Sequence, residues 1–162
     1  MRSLLIAGFI GVFGMSARSE EKADLAAKLK GAKVSLEQGI AASKAKGTPI
    51  SAKYEMEDGK LQLSVYTAKG DSFSEVIVDH QTGKVAKAEP ITSGDDLTAA
   101  KSQNEAMSKA KTSLQAAVSK AVKSNKGYKA VSAMPSLKDG HPAAEIKLTK
   151  GTESKTVTEG LD

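Results

Sequence analysis

KVSLEQGIAASKAKGTPISAKYEMEDGKLQLSVYTAKGDSFSEVIVDHQTGKVAKA, residues Lys33 to Ala88, holds one complete unit of helix, strand, hairpin, strand and turn. Ser35 with Gln38 three residues on forms a capping box, in which the hydroxyl accepts from a free backbone N–H and the amide reaches back. Leu36 and Ile40 mark one face of the helix that follows, and Gly47 with Pro49 stops it, so the spacing predicts a helix over 35–46. From Ile50 the period changes to two. Ile50, Ala52, Tyr54 and Met56 point one way, and Ser51, Lys53, Glu55 and Glu57 the other, as in a half-buried strand.

Asp58-Gly59 is a strong hairpin signal, because both residues tolerate positive φ, and Leu61, Leu63 and Val65 form the returning strand. Lys69-Gly70-Asp71 turns the chain into a third strand, Phe73 to Asp79. Val76 and Val78 share a face there, and Phe73 is out of phase with them, which predicts a bulge or a different strand start. Asp79 to Gly83 reads as a turn in which the Asp carboxylate accepts local N–H bonds and Gly83 takes positive φ. A fourth strand, Lys84 to Glu89, is expected to end at Pro90.

Working outward, Thr92 to Asp96 reads as a linker. Leu97 to Ser124 contains no Pro or Gly and carries Leu97, Ala100, Met107, Leu114, Val118 and Val122 at helical spacing. This predicts one long amphipathic helix, or two with a break near Lys111. Tyr128 to Leu137 resembles a strand interrupted by Pro135, Asp139-Gly140 repeats the hairpin signal, and Ala144, Ile146 and Leu148 alternate with charged or small residues. Lys150-Gly151 leads to a last strand over 153–159.

The second half repeats the first. Lys33-x-Ser35-Leu36-(x)3-Ile40 matches Lys111-x-Ser113-Leu114-(x)3-Val118 at an offset of 78, and the Asp-Gly turns match at 81. At that second offset Ala52 meets Ala133, Val65 meets Ile146 and Lys69-Gly70 meets Lys150-Gly151. A fixed order of cap, helix, strand, hairpin and turn is the mark of a repeated unit. The expected fold is therefore α+β: two tandem repeats, each a helix packed on a 3- to 4-stranded antiparallel sheet. The boundaries are 20–91 for the first repeat, 92–96 for the linker and 97–162 for a second, degenerate repeat. Pro135 and Pro142 replace Tyr54 and Leu61 in that copy, and proline belongs at sheet edges or strand starts.

Met1 to Ala17, MRSLLIAGFIGVFGMSA, has one Arg, an apolar run from Leu4 to Met15 and then small residues. That run is short of the roughly 20 residues a spanning helix needs, so residues 1–19 read as a secretory signal peptide cut after Ala17 or Ser19. A periplasmic or secreted location follows, with no stable membrane insertion after cleavage. Cysteine is absent, which removes disulfides, thiol catalysis and a lipid-bearing Cys together.

The formal charge is +5, and cleavage after Ala17 removes Arg2. The excess is scattered Lys with little Arg and few aromatics, which argues against nucleic acid as a partner. His80 and His141 each sit beside a turn without a clustered ligand set, and Asp71, Asp79, Asp95 and Asp96 match no calcium-loop spacing, so neither a metal nor another cofactor is expected. No Gly-x-Ser-x-Gly turn exposes a nucleophile. Those residues argue against a hydrolase and for a non-catalytic protein.

Val76-Ile77-Val78-Asp79 leading to Thr82-Gly83-Lys84-Val85, after SLEQGIAAS and the Asp-Gly hairpin, resembles the PepSY domain, named for peptidase propeptides and a spore-germination protein. The likeness covers residues 33–88 well and 111–159 poorly. It implies a helix on an antiparallel sheet, an extracytoplasmic location, and binding of a protein or peptide, with a peptidase as one class of partner. Asp79, Thr82, Gly83 and Val85 then form the family turn, a structural motif, alongside the hairpin turns Asp58, Gly59, Asp139 and Gly140. The rival expectation is a structural or stress-related envelope protein with no ligand.

Overall fold

The computed structural model describes residues 14–162, with side chains from residue 20 onward. The expected signal peptide thus lies largely outside the described residues. Both expected cleavage positions fall inside the first helix, α1 (Gly14–Leu29). The elements that follow are α2 (Leu36–Ser43), β1 (Thr48–Glu57), β2 (Lys60–Lys69), β3 (Ser72–Val78) and β4 (Val85–Ile91). The chain then forms α3 (Gly94–Lys109), α4 (Leu114–Ser124), β5 (Lys129–Lys138), β6 (His141–Lys150) and β7 (Glu153–Gly160).

The fold is α+β, and its strands make one antiparallel sheet of seven in the order β4-β3-β2-β1-β5-β6-β7. Separate sheets of three or four strands are not what forms. The two halves join where β1 pairs with β5, through Ala52↔Ala133 and Lys53↔Ser132. Local signals place both hairpins correctly: Asp58 and Asp139 adopt φ of 49° and 51°, followed by Gly59 and Gly140 at positive φ, the twist that matches paired strands.

α2 begins as its sequence requires. The Ser35 hydroxyl accepts from the Gln38 amide (3.1 Å) while the Gln38 side chain accepts from the Ser35 amide (2.8 Å), a complete capping box. The helix ends earlier than residue 46, at Ser43, and a 3-10 turn over Lys44–Lys46 leads to Gly47. Gly47 sits at φ 152°, and an added Cβ would lie 2.8 Å from the Ala68 carbonyl oxygen.

Of the two options over 97–124, the structure takes the pair of helices with a break at Lys111. α3 ends at Lys109, the Lys111 and Thr112 amides donate to the Leu161 carbonyl (2.7 and 3.0 Å), and Ser113 caps α4 by accepting from Ala116. An uninterrupted helix would leave those amides nothing to gain from Leu161. The break also lets the two helices serve opposite sides of the sheet. α2 and α4 supply Leu36, Ile40, Leu114, Ala117, Val118 and Ala121 to the main core, against Ala52, Leu63, Val65, Val76, Ile146 and Leu148. α3 supplies Ala100 to a second cluster with Ile50, Ala68 and Phe73 on the other face. The linker expected over 92–96 shrinks accordingly, because α3 already starts at Gly94.

That second cluster corrects two readings of phase. Phe73 pairs in regular register with Ala68, without a bulge between β2 and β3, and simply points to the face that α3 covers. Ile50 departs from Ala52 and Tyr54 because a register shift between Pro49 and Ser51 turns it toward the same cluster. Pro90 lies inside β4 instead of ending it, tolerated because β4 is an edge strand. β5 continues through Pro135, which lies past the end of the short β1–β5 ladder, so its missing N–H costs no bond on that side. Pro142 stands next to the start of β6, where a missing donor is also tolerated.

Candidate functional site: the β7 edge and the Asp79 turn

The turn between β3 and β4 is built from its own side chains. One carboxylate oxygen of Asp79 accepts from the amides of Gln81 (2.7 Å) and Thr82 (3.1 Å), and the Gly83 amide donates to the Asp79 carbonyl (2.8 Å). Those amide bonds, the one from Gln81 first, hold the Asp79 carboxyl below its usual range. Gly83 takes φ 76°, and the Lys84 amide donates to the Thr82 hydroxyl (3.3 Å). Val85 then packs half-buried against the main core.

The turn also anchors the entry to α2. The Lys33 and Val34 amides donate to the His80 carbonyl (2.9 and 3.1 Å), and the Gln81 side chain donates to the Gly31 carbonyl (2.7 Å). The turn's hydrogen bonds thus hold chain to chain. The corresponding place in the second half is taken by Leu161, whose carbonyl receives Lys111 and Thr112 and whose side chain is fully buried.

The structure does not gather the singled-out residues into one site. Asp58-Gly59 closes the β1–β2 hairpin at one end of the sheet. Asp139-Gly140 closes β5–β6 at the opposite end, since β1 and β5 run antiparallel. His80 gives its carbonyl to the clamp described above, and the ring of His141 faces the Asp162 carboxylate at 3.4 Å near the C-terminus. Among the described residues no group of three His, Asp or Glu side chains is placed to hold a metal.

The sheet margins, β4 and β7, carry the strand edges that no other strand pairs. The two edges differ in their protection. β4 carries Pro90, a register shift opposite Ile77 and Val78, and an exposed Lys87–Glu89 ion pair (2.6 Å), all devices that discourage strand addition. β7 runs in unbroken register with β6 from Glu153 to Gly160 and contains no proline. Its residues on the α4 side are held in place: Glu159 pairs with Lys120 (2.7 Å), and the Lys155 ammonium lies 4.4 Å from the centre of the Tyr128 ring. The strand read from sequence over 153–159 is this one, but its position at the margin follows only from the sheet order.

α3 packs across the middle of the sheet face opposite α2 and α4. The Ser51 hydroxyl donates to the Gln103 side chain of α3 at 2.7 Å there. Sequence reading also missed a cavity of about 210 Å3 where the ends of α1 and α4 and the start of α2 meet β1 and β5, lined mainly by apolar side chains. Its walls come from residues as far apart in the chain as Leu29 and Thr149, so no local pattern announces it.

The chain matches no family profile and no curated protein. Among solved structures, a "putative lipoprotein" from Clostridium difficile 630 aligns with a TM-score of 0.43 and 13% identity, over 76% of this chain and 82% of that one. Among the described residues no helix is long and apolar enough to cross a membrane.

Proposed function

We propose that this is a non-catalytic extracytoplasmic protein of two PepSY-like repeats that binds a protein or peptide partner as an added strand along β7. The observation that carries the reading is the contrast between the edges: β4 is protected, whereas β7 presents eight residues of regular, proline-free edge. An antiparallel edge offers alternate N–H and C=O groups to an extended chain, and such pairing gives affinity without a catalytic group.

The repeat reading draws support from the seam. Ala52 and Ala133, equivalent at the offset of 81, pair with each other, as two copies of one unit related by a local twofold would. The clamp of Lys33 and Val34 on His80 has its counterpart in Lys111 and Thr112 on Leu161. The signal-like start of the chain supports the location. The Asp79-x-x-Thr82-Gly83-x-Val85 turn supports the family and, through it, a peptidase as one class of partner.

Crosslinked capture with the mature protein from the extracytoplasmic fraction tests this directly, with a stoichiometric partner expected. Proline placed in turn at Thr156 and Val157 finds the outward amide, since only one of two neighbours points away from β6. The proline that leaves the fold intact is expected to abolish capture. Failure to capture any stoichiometric partner would favour an envelope protein without a ligand. Unchanged rates of a co-secreted metallopeptidase at excess protein would remove the inhibitor version.

A further inference from the structure

We infer that the cavity between the ends of α1 and α4 and the start of α2 is a binding site for a small apolar ligand, about the size of one aromatic ring or a short branched acyl chain. Its volume of about 210 Å3 exceeds the roughly 150 Å3 of an apolar protein cavity that stays dry and takes up benzene. Its walls include Leu29, Leu36, Val122, Ala130 and Val131, contributed by three helices and the start of β5.

The tyrosines and the capping-box residues at its walls are already committed. The Tyr54 hydroxyl donates to the Val34 carbonyl, the Tyr128 hydroxyl to Glu153 (3.1 Å), and Ser35 and Gln38 satisfy each other's backbone in the capping box. Among the described residues the single buried side-chain polar atom without a partner is the Thr67 hydroxyl, which is not part of this lining. Water entering the site would give up hydrogen bonds and find few replacements, whereas an apolar group regains dispersion contacts with the walls. Lys33, Glu37 and Lys129 border the cavity, and the two lysines are exposed, so a charged tail on the ligand can stay in solvent at the rim.

The site is separate from β7 and does not rest on strand addition there. Benzene and indole are the probes, measured by thermal unfolding of the mature protein and by methyl chemical shifts of Leu36 and Val131. Near-saturating benzene is expected to raise the melting temperature by roughly 2–6 °C, as binding to the native state alone requires, and to shift those methyls. Ala130→Leu and, separately, Ala32→Leu occupy the space; each is expected to remove the benzene-induced rise. No rise and no methyl shift with either probe in the wild-type protein would overturn the inference. So would an equal rise in wild type and in both filled variants, which would place the ligand elsewhere.

Discussion

Ala52 of β1 pairs with Ala133 of β5, and both side chains are fully buried beneath the main core. Two such pairs are all that joins the halves in the sheet, yet residues from both halves share one apolar cluster. Small side chains at the seam let α2 and α4 approach the sheet together. Ala133→Leu would force three extra carbons into closed packing, with an expected cost of about 1–3 kcal/mol. Calorimetry should show a single transition for the wild-type protein and for the variant, because neither half keeps a complete core alone. Two resolved transitions in the wild type would contradict a shared core.

Gly39 of α2 lies against Leu63, and a Cβ there would stand 2.6 Å from a Leu63 methyl carbon. Gly39→Ala gains up to about 1 kcal/mol of helix propensity but drives α2 into a side chain that cannot move freely, since Leu63 is fully buried. The clash is expected to win, with a net loss of about 1–2 kcal/mol in chemical denaturation. A higher denaturation midpoint would show that the helix can lift without cost.

Tyr54 is buried, and its hydroxyl donates to the Val34 carbonyl just before α2. Burial pushes its ionisation up to about 12 from 10.0, so the folded state favours the neutral phenol. The contribution is complete below pH 10 and is lost as pH rises from 10 through 12. Tyr54→Phe leaves the Val34 carbonyl without this donor and should cost about 1–3 kcal/mol at neutral pH. The gap between wild type and variant should then narrow above pH 10, and a gap that stays constant to pH 12 would contradict the assignment.

Thr67 on β2 is 1% exposed, and its hydroxyl has no partner among the described residues. Burying an unpaired hydroxyl costs free energy that an isosteric methyl does not. Thr67→Val is therefore expected to stabilise the protein by about 1 kcal/mol, read as a higher denaturation midpoint with an unchanged slope. A lower midpoint would indicate that the hydroxyl finds a bond in solution.

Much of this fold was legible because it is decided within a few residues. The Ser35 box, the two Asp-Gly hairpins and the Asp79 turn each depend on dihedral preferences and short-range hydrogen bonds, and each formed where its residues stand. The β7 edge was legible as a strand but not as a margin. Phe73 was given a bulge because alternation cannot record that the second face is also covered, and Ile50 was put on the Ala52 face because the register shift between Pro49 and Ser51 leaves no mark in the alternation. The break at Ala110 to Ser113 was legible only as one of two options, since helical spacing continues through it.

The sequence by itself determined the order of the strands along the chain, the turns, the internal likeness of the halves and the signal-like start. Tertiary structure alone decided that β1 meets β5, that α3 crosses to the opposite face from α2 and α4, and that an apolar cavity remains beside Tyr54. Those outcomes depend on burying area between segments some 80 residues apart, a balance of packing and chain entropy that no local window of residues contains.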